Sequence, residues 1–555
     1  MNIFCKVNSY NVFLFSSLLI LSIFISSSNL NSYFSPSFLI YEFIFYDILT
    51  PAFGDQMEYS KQQAIEKFKS QFCGINSKPN SNQYVKEIKL NNECEMPLAI
   101  IYDDSVEGLW YISTKQGSLN LYQPERQIFT KYDIPIWLSR DNPIDSSQVW
   151  DLKLDPSNEN LWFTDEKQNL IWKFSKQQKE FEHFKIPETN LSFGTIYPVS
   201  LDFDNNGNIF FAGIRSQSLW IGNLSLMKTG TSDGIDSIPL PIEDYKDFDP
   251  SLVSTGSIAI DKKNNNVWVS VLAFGYKGQI YNYDITNKSF KKYDLGDLPS
   301  PVGITIDEKG SIWISDHGTS IFVKLNPINN SLTKFITSTA SQKIFGGDKI
   351  DSQAYTLPYW MKKGQNNSII FNEHTGNKIG KFFPEELKLV EYWIPSQNKQ
   401  FGQCKPDLPE NSCGIGNVLQ LTDETSNRLI WFTEWSENKI GYVNTSIPLP
   451  FSINTDDNEI TLTPGESKEI KLEITTHIDS LLHPISSSTL TPSGELGTSY
   501  GIFSETSINL KKDKLKEISF VFTLSNDVAI GNYILMLGAE DDLISISKAI
   551  LIDVI

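Results

Sequence analysis

The sequence predicts an all-β protein in which a seven-bladed β-propeller precedes an immunoglobulin-like β-sandwich. Short apolar or alternating segments, separated by turn residues, recur along most of the chain. A bulky apolar residue, usually aromatic, recurs about 50 residues apart, which is the period of a four-stranded blade. The recurring residues are Trp110, Trp162, Phe210, Trp268, Trp313, Ile370 and Trp431. We expect this ladder to pack between adjacent blades rather than to bind a ligand.

Residues 300–335 illustrate one blade. They contain four short apolar segments, and the Asp-Glu-Lys-Gly sequence at 307–310 is typical of a turn between the first two strands. The seventh repeat, residues 418–444, stops after three such segments. The missing fourth strand is predicted upstream, at residues 84–90, because YVKEIKL resembles the fourth strands of the other repeats. Pairing of these two segments would close the ring and remove an exposed sheet edge.

The remaining boundaries follow from changes of pattern. Residues 1–54 are predicted to be a signal peptide or N-terminal anchor, and residues 55–83 a helical extension. The propeller spans residues 84–450 and the sandwich residues 451–555, where apolar and polar residues alternate between Pro-Gly and Ile-Gly-Asn turns. We expect the protein to be a monomer.

Composition restricts the classes of partner. The chain has 555 residues, of which 40% are hydrophobic and 12% aromatic, so it can bury large cores. Its net charge of -19 argues against binding to nucleic acid or to an anionic membrane surface, because phosphates would be repelled. An acidic coat that keeps an exported protein soluble is the simpler interpretation.

The N-terminus and the cysteines both indicate export. Lys6 precedes an apolar run at residues 11–25, and no acidic residue occurs before Glu42. Cleavage of this segment would give a secreted protein, whereas retention would anchor it to a membrane at the cell surface. Two close cysteine pairs are predicted to form disulfides, Cys73 with Cys94 and Cys404 with Cys413. Asn-x-Ser acceptors, compatible with glycosylation, occur at Asn190, Asn223, Asn287, Asn329, Asn366 and Asn444.

Two histidines and three carboxylates are predicted to meet at one mouth of the channel. Antiparallel strands reverse direction, so the start of a first strand and the end of a second strand lie at the same end of a blade. The second strands of the last three blades end in acidic residues, two of which precede a histidine. The residues concerned are Asp316, His317, Glu373, His374 and Glu434. Carboxylates beside imidazoles can bind a divalent cation or share acid-base work.

This cluster supplies the candidate site. Candidate catalytic residues are Glu373, His374 and Glu434. Candidate metal ligands are Asp316, His317, Glu373 and Glu434, with Mg or Ca as the ion. The alternative is that the two histidines are exposed loop residues beside a turn. Long connections at 230–250, 338–351 and 396–412 are expected at the same face, where the second disulfide would staple the last of them.

Several phrases resemble a known family. IWFTEWSENKIGYV at 430–443, IIFNEHTGNKIGKF at 369–382 and LWFTDE at 161–166 look like the repeat of streptogramin (virginiamycin B) lyases and related NHL-type propellers. The resemblance covers residues 84 to about 450. It implies a seven-bladed fold and a magnesium-assisted elimination that opens a cyclic lactone. In that family the reaction uses a histidine near the start of a first strand and a glutamate from a WFTE phrase. Glu373 and Glu434 match this type of glutamate. Residues 528–555 resemble the end of NPCBM-associated sandwiches.

The first strands depart from that family at the histidine. The residues at this position are Leu98, Trp150, Val199, Gly256, Val302, Tyr359 and Val418. We therefore favour a propeller that binds a small molecule, a glycan or a surface protein at the channel face without lyase chemistry. The alternative is a divalent-metal-dependent lyase or lactonase-like enzyme. That alternative requires the three carboxylates and at least one histidine to lie within metal-ligand reach of each other.

Overall fold

The computed structural model describes residues 55–74, 78–188, 195–242, 253–273, 277–340, 355–402, 404–405, 408–409, 412–494, 496 and 499–555. The predicted signal peptide or anchor at 1–54 lies outside these residues. Among the described residues, no helix has the length and apolar character needed to cross a membrane. One helix, α1 (Asp55–Phe72), precedes the first strand.

Seven four-stranded antiparallel sheets form the first part of the molecule. Their strands are β1 (Val85–Lys89), β2 (Pro97–Asp103), β3 (Gly108–Ser113), β4 (Ser118–Gln123), β5 (Ile128–Asp133), β6 (Leu152–Leu154), β7 (Asn160–Asp165), β8 (Leu170–Ser175), β9 (Phe181–Lys185), β10 (Pro198–Phe203), β11 (Asn208–Gly213), β12 (Ser218–Asn223), β13 (Ile235–Pro239), β14 (Val253–Asp261), β15 (Asn266–Ala273), β16 (Gln279–Asp284), β17 (Ser289–Asp294), β18 (Pro301–Ile306), β19 (Ile312–Asp316), β20 (Ile321–Asn326), β21 (Ser331–Ile336), β22 (Pro358–Lys363), β23 (Ile369–Glu373), β24 (Lys378–Phe383), β25 (Lys388–Trp393), β26 (Val418–Leu421), β27 (Leu429–Glu434) and β28 (Lys439–Asn444). Blades 1 to 6 each take four consecutive strands from β2 onward, so the predicted seven-bladed propeller is confirmed.

The ring closes through blade 7. Its strand order is β1-β28-β27-β26, because β1 pairs antiparallel with β28 from Val85 opposite Val443 to Lys89 opposite Lys439. The Cys73–Cys94 disulfide connects the end of α1 to the segment that follows β1. Thr433 of blade 7 then donates a hydrogen bond to the carbonyl of Leu98 in blade 1, at 2.9 Å. The first and last blades are thereby joined.

The aromatic ladder forms the core between the blades, as predicted. All seven of its residues are between 0% and 3% exposed. Two of the indole N–H groups donate to carboxylates in their own blades, Trp110 to Asp103 at 3.2 Å and Trp313 to Asp307 at 3.0 Å. Burying the ladder is favourable because each side chain removes a large apolar area from water, and in Trp110 and Trp313 the indole N–H is also satisfied.

The last part of the chain is a two-layer β-sandwich. Its strands are β29 (Phe451–Thr455), β30 (Glu459–Leu462), β31 (Ser467–Thr476), β32 (Ser480–Ser488), β33 (Tyr500–Phe503), β34 (Ile508–Leu510), β35 (Leu515–Thr523), β36 (Gly531–Glu540) and β37 (Ile544–Val554). One sheet has the order β29-β31-β35-β33, and the other contains β37-β36-β32-β34 with β30 parallel to β37. Alternation along β31 buries Ile470, Leu472 and Ile474 between the layers. The immunoglobulin-like assignment stays a prediction.

The sandwich and the propeller share a sheet. β37 pairs antiparallel with β25, the outer strand of blade 6, from Tyr392 opposite Ile544 to Lys388 opposite Lys548. Blade 6 and one layer of the sandwich thus form a continuous nine-stranded sheet. Ile534 and Met536 of β36 belong to the same buried apolar cluster as Trp313. The outer edge of blade 6 is therefore covered by the second domain.

Candidate functional site

The ends of the second strands lie beside the starts of the first strands, at the face that we call the channel face. In five blades the residue after the second strand donates its backbone N–H to the residue before the first strand. The pairs are Thr114 to Met96, Ile214 to Tyr197, His317 to Ser300, His374 to Leu357 and Trp435 to Asn417, at 2.8 to 3.1 Å. This repeated hydrogen bond fixes where each following side chain leaves the blade.

His317 and His374 are in direct contact at this face. Nε2 of His317 lies 3.2 Å from Nδ1 of His374, and Nε2 of His374 lies 3.3 Å from Oδ1 of Asn417. The ring of Tyr359 stacks on His317 with the ring centroids 4.1 Å apart. Both histidines and Tyr359 are half-buried. Blades 5, 6 and 7 therefore contribute one continuous aromatic and polar surface, formed by His317, Tyr359, His374 and Asn417. We call it the histidine surface.

The hydrogen bonds of Asn417 determine the tautomers of both histidines. Ser436 donates to Glu437 at 3.0 Å, so its oxygen must accept from Nδ2 of Asn417, which lies 2.9 Å away. Oδ1 of Asn417 is then an acceptor and takes the Nε2 proton of His374. Nδ1 of His374 consequently accepts from Nε2 of His317. Nδ1 of His317 is left as an acceptor to which none of the described residues donates.

Both histidines are neutral at pH 7. Burial lowers the pKa of His374 to about 4, although its hydrogen bond to Asn417 opposes the shift. Burial, together with the neighbouring His374, holds the pKa of His317 well below its usual value. Neutral imidazoles offer one donor and one acceptor each, so this surface is suited to an uncharged polar ligand.

We expect the imidazole of His374 to remain unprotonated until the pH falls to about 4. An unfolded histidine takes up its proton near pH 6.5, so acidification between these values favours unfolding through this residue. NMR titration of ¹³C-labelled histidine, assigned with His374→Gln, measures this pKa directly. A titration midpoint of His374 at or above the unfolded value would contradict the described contacts.

The glutamate of blade 7 belongs to a buried ion cluster instead of the histidine surface. Nζ of Lys439 lies 3.7 Å from Glu434 and 2.9 Å from Glu87. Glu87 also accepts from the backbone and hydroxyl of Ser396, at 2.9 and 2.8 Å. Burial and the proximity of Glu87 hold the pKa of Glu434 well above its usual value. Glu434 is thus a buried partner of Lys439 in the interior of blade 7.

Blade 6 repeats this cluster. Nζ of Lys378 lies 3.8 Å from Glu373 and 3.5 Å from Glu391, and the backbone N–H of Ser338 donates to Glu391 at 2.9 Å. The side chains of Glu373, Lys378 and Glu391 are fully buried. Burial, followed by the charge of Glu391, raises the pKa of Glu373 well above its usual value.

Asp316 has a third, local environment. It accepts from the backbone N–H of Ser300 and the hydroxyl of Thr319, both at 2.7 Å. Burial raises its pKa to about 6, against the effect of these hydrogen bonds. These contacts hold the start of the first strand of blade 5 against the end of the second strand.

The structure thus brings His317 and His374 together and places the three carboxylates in separate clusters within their blades. No three His, Cys, Asp or Glu side chains of the described residues are grouped so that they could hold a metal ion. The predicted ligand set Asp316, His317, Glu373 and Glu434 is therefore not assembled in this part of the chain. The contacts that sequence analysis missed are those of Tyr359 and Asn417.

Other segments border the channel face. The ring of Phe72, at the end of α1, lies 5.3 Å from that of Trp435 and 5.9 Å from that of Phe401. The predicted Cys404–Cys413 disulfide is present in the loop that follows blade 6. Of the long connections expected here, residues 243–250, 341–351, 403, 406–407 and 410–411 lie outside the described residues.

Side chains from opposite blades meet across the channel below this face. The ring of Trp150, before β6, lies 6.2 Å from that of Trp360 in β22 and 5.7 Å from that of Tyr359. Gln420 of blade 7 donates to the carbonyl of Trp150 at 2.6 Å. Since blades 2 and 6 are not neighbours, these contacts span the axis. Below the histidine surface, the channel is therefore crossed by the rings of Trp150 and Trp360.

Comparisons with known proteins show a likeness of fold. No family model and no curated protein matches the chain. Virginiamycin B lyase from Staphylococcus aureus is 17% identical over 65% of this chain and 98% of that chain, with a TM-score of 0.48. The extracellular domain of a putative one component system from B. thetaiotaomicron is 13% identical over 87% of this chain and 59% of that chain, with a TM-score of 0.42. At these values, the fold assignment rests on the sheets described above.

Proposed function

We propose that this protein is an exported cell-surface protein whose propeller binds a polyhydroxylated ligand, a glycan, at the channel face. The observation that carries the proposal is the hydrogen-bonded chain from His317 through His374 to Asn417. It leaves Nδ1 of His317 as an acceptor for a ligand hydroxyl. The stacked rings of His317 and Tyr359 supply an apolar surface beside it, the usual combination in a site for a neutral polar molecule.

Two further features support the cellular setting. The Cys73–Cys94 and Cys404–Cys413 disulfides are typical of proteins that fold in an oxidising compartment. The net charge of -19 disfavours adhesion to phosphate-rich surfaces, which leaves neutral ligands accessible.

A glycan array probed with the purified protein tests the proposal. We expect binding to a restricted set of glycans, reduced at least about fivefold by His317→Ala, because a lost hydrogen bond at a half-buried site costs about 1–3 kcal/mol. His483→Ala is the matched control, since His483 is exposed in the sandwich. An array without bound glycans, or equal binding by His317→Ala, would contradict the proposal.

The alternative function is a divalent-metal-dependent lyase or lactonase acting on a cyclic ester. It requires the carboxylates to join a histidine around the ion. In the described residues Glu373 and Glu434 instead face Lys378 and Lys439, so no observation on this face favours the alternative.

A further inference from the structure

A second cavity opens at the end of the propeller away from the channel face. It is lined by the first strands of blades 2 to 6, by the turns between the first and second strands of blades 4 and 5, and by Asp423 of blade 7. Its volume is about 730 Å³, within the range of sites for small organic ligands. Trp360, which contacts Trp150 across the axis, is part of its lining. We call it the lower cavity.

Equivalent positions of the first strands place a ring of side chains around this part of the channel. Each ring residue is the cross-strand partner of a residue of the buried aromatic ladder. The ring residues identified by this pairing are Ile101, Lys153, Asp202, Ala259, Thr305 and Lys362. Two of these six side chains are cations, although the whole chain is strongly acidic.

Three of the six acidic residues that line the lower cavity lie near its lysines and accept hydrogen bonds from backbone donors. Asp151 accepts from the backbone N–H of Leu201 at 3.0 Å. Asp202 accepts from Phe203 at 2.8 Å, and Asp423 accepts from Lys363 at 2.8 Å. Their oxygens therefore complete the backbone hydrogen bonding of the ring and are less available to a cation in the cavity.

The two lysines of the ring are compensated to different degrees. Nζ of Lys153 is 3.9 Å from Asp151, at the limit of an ion pair. Lys362 is half-buried and makes neither a hydrogen bond nor an ion pair with any described residue. Nε1 of Trp360, a buried donor in the same lining, also lacks an acceptor among those residues. Trp360 and Lys362 are two residues apart in β22, so their side chains lie on the same face of this strand.

The pKa values of the two lysines shift in opposite directions. Burial, and next the positive charge of Lys153, lower the pKa of Lys362, while Asp151, Asp423 and Asp202 oppose the shift. The pKa of Lys153 is raised, chiefly by Asp151. An anion placed near Lys362 would reduce the repulsion between the two ammonium groups. It would also accept hydrogen bonds from the ammonium of Lys362, which is partly removed from water.

We propose that the lower cavity binds an organic molecule through an oxyanion, a phosphate, sulfate or carboxylate, held by Lys362 and Lys153. This site is separate from the histidine surface and does not depend on the function proposed for it. The remaining lining, which includes Thr305, Ile304 and Met361, would contact the rest of the ligand. The lower cavity would therefore select anions, although the net charge of the whole protein is negative.

Calorimetric titration of the full-length protein with inorganic phosphate, sulfate and citrate tests this site. We expect at least one of the three anions to bind, and Lys362→Met to weaken that binding at least about tenfold, as expected for loss of a charge-assisted hydrogen bond. Lys153→Met should also weaken it. Lys86→Met, which removes the same charge from an exposed position of β1, should leave the affinity unchanged.

Thermal unfolding in anion-free buffer separates binding from folding. Lys362 forms no ion pair with a described residue, so Lys362→Met should not lower the melting temperature. Failure of all three anions to bind, unchanged affinity in Lys362→Met, or a fall of several degrees in its melting temperature would each overturn the proposal. Comparison of phosphate, sulfate and citrate identifies which oxyanion the cavity prefers.

Discussion

Replacing Lys439 by methionine is expected to destabilise the propeller by about 3–5 kcal/mol, because it leaves two buried glutamates without their common cation. Lys439 lies 2.9 Å from Glu87 in the closing strand and 3.7 Å from Glu434 in the second strand of blade 7. The variant must therefore protonate both carboxyls or separate β1 from β28. Chemical denaturation followed by tryptophan fluorescence measures the loss.

The two glutamates should respond differently to the same change. Glu434 has a raised pKa, and neither of its oxygens accepts a hydrogen bond from the described residues, so Glu434→Gln should cost little. Glu87 accepts from Ser396 and Asn80 as well as from Lys439, so Glu87→Gln should cost more. Lys86→Met is the control for charge. A loss below about 1 kcal/mol in Lys439→Met would show that the cluster is not structural.

The whole described molecule is expected to unfold in one calorimetric transition. Domains joined only by a linker unfold independently, but here β37 pairs with β25 and the sandwich shares an apolar cluster with blade 6. Ending the chain after residue 450 would expose the edge of β25 and the apolar side chains that β36 covers. We expect this truncated chain to aggregate, because open apolar sheet edges template association.

Differential scanning calorimetry and size-exclusion chromatography check this expectation. Ile530→Ser is a suitable control for sandwich mutations, because Ile530 is 77% exposed and outside the shared sheet. Two separate transitions in the full chain, or a soluble monomeric fragment ending at residue 450 with an unchanged melting temperature, would contradict a shared sheet.

The propeller could be predicted because its signal is local and repeated. Each ladder residue stands in a short strand between turns, and the closing strand resembles the fourth strands it replaces. The NKIG phrase also repeats for a structural reason. An added Cβ at Gly380 or Gly441 would lie 2.5 Å from the ring of Phe371 or Phe432, so the third strand must present a glycine there.

The candidate site was predictable only in part. The reversal of antiparallel strands correctly places His317 and His374 at one face. The same argument could not show that Glu373 and Glu434 face inward, since their direction depends on buried lysines in the next strand. A signal was present in the sequence, because Lys378 and Lys439 each follow their glutamate at the same spacing, across a hairpin.

Other contacts could not be predicted, because no pattern of neighbouring residues in the sequence indicates them. The stacking of Tyr359 on His317 joins two blades, and its geometry depends on how the sheets twist around the ring. The pairing of β25 with β37 joins segments far apart in sequence, and both strands are mostly buried, as strands of many domain cores are. Such a pairing depends on how well the two strand edges fit each other. No short turn connects the two strands, so the sequence has no local pattern that predicts the pairing.

The shared sheet also affects the order in which the protein can mature. Blade 6 emerges from the ribosome well before β37, so the outer side of β25 has no partner during the synthesis of the intervening sandwich strands. Throughout that interval the nascent chain exposes a β-edge and the apolar cluster that Ile534 and Met536 of β36 later join. This period is when chaperones or low local concentration matter most, since association with another chain would compete with the late intramolecular pairing.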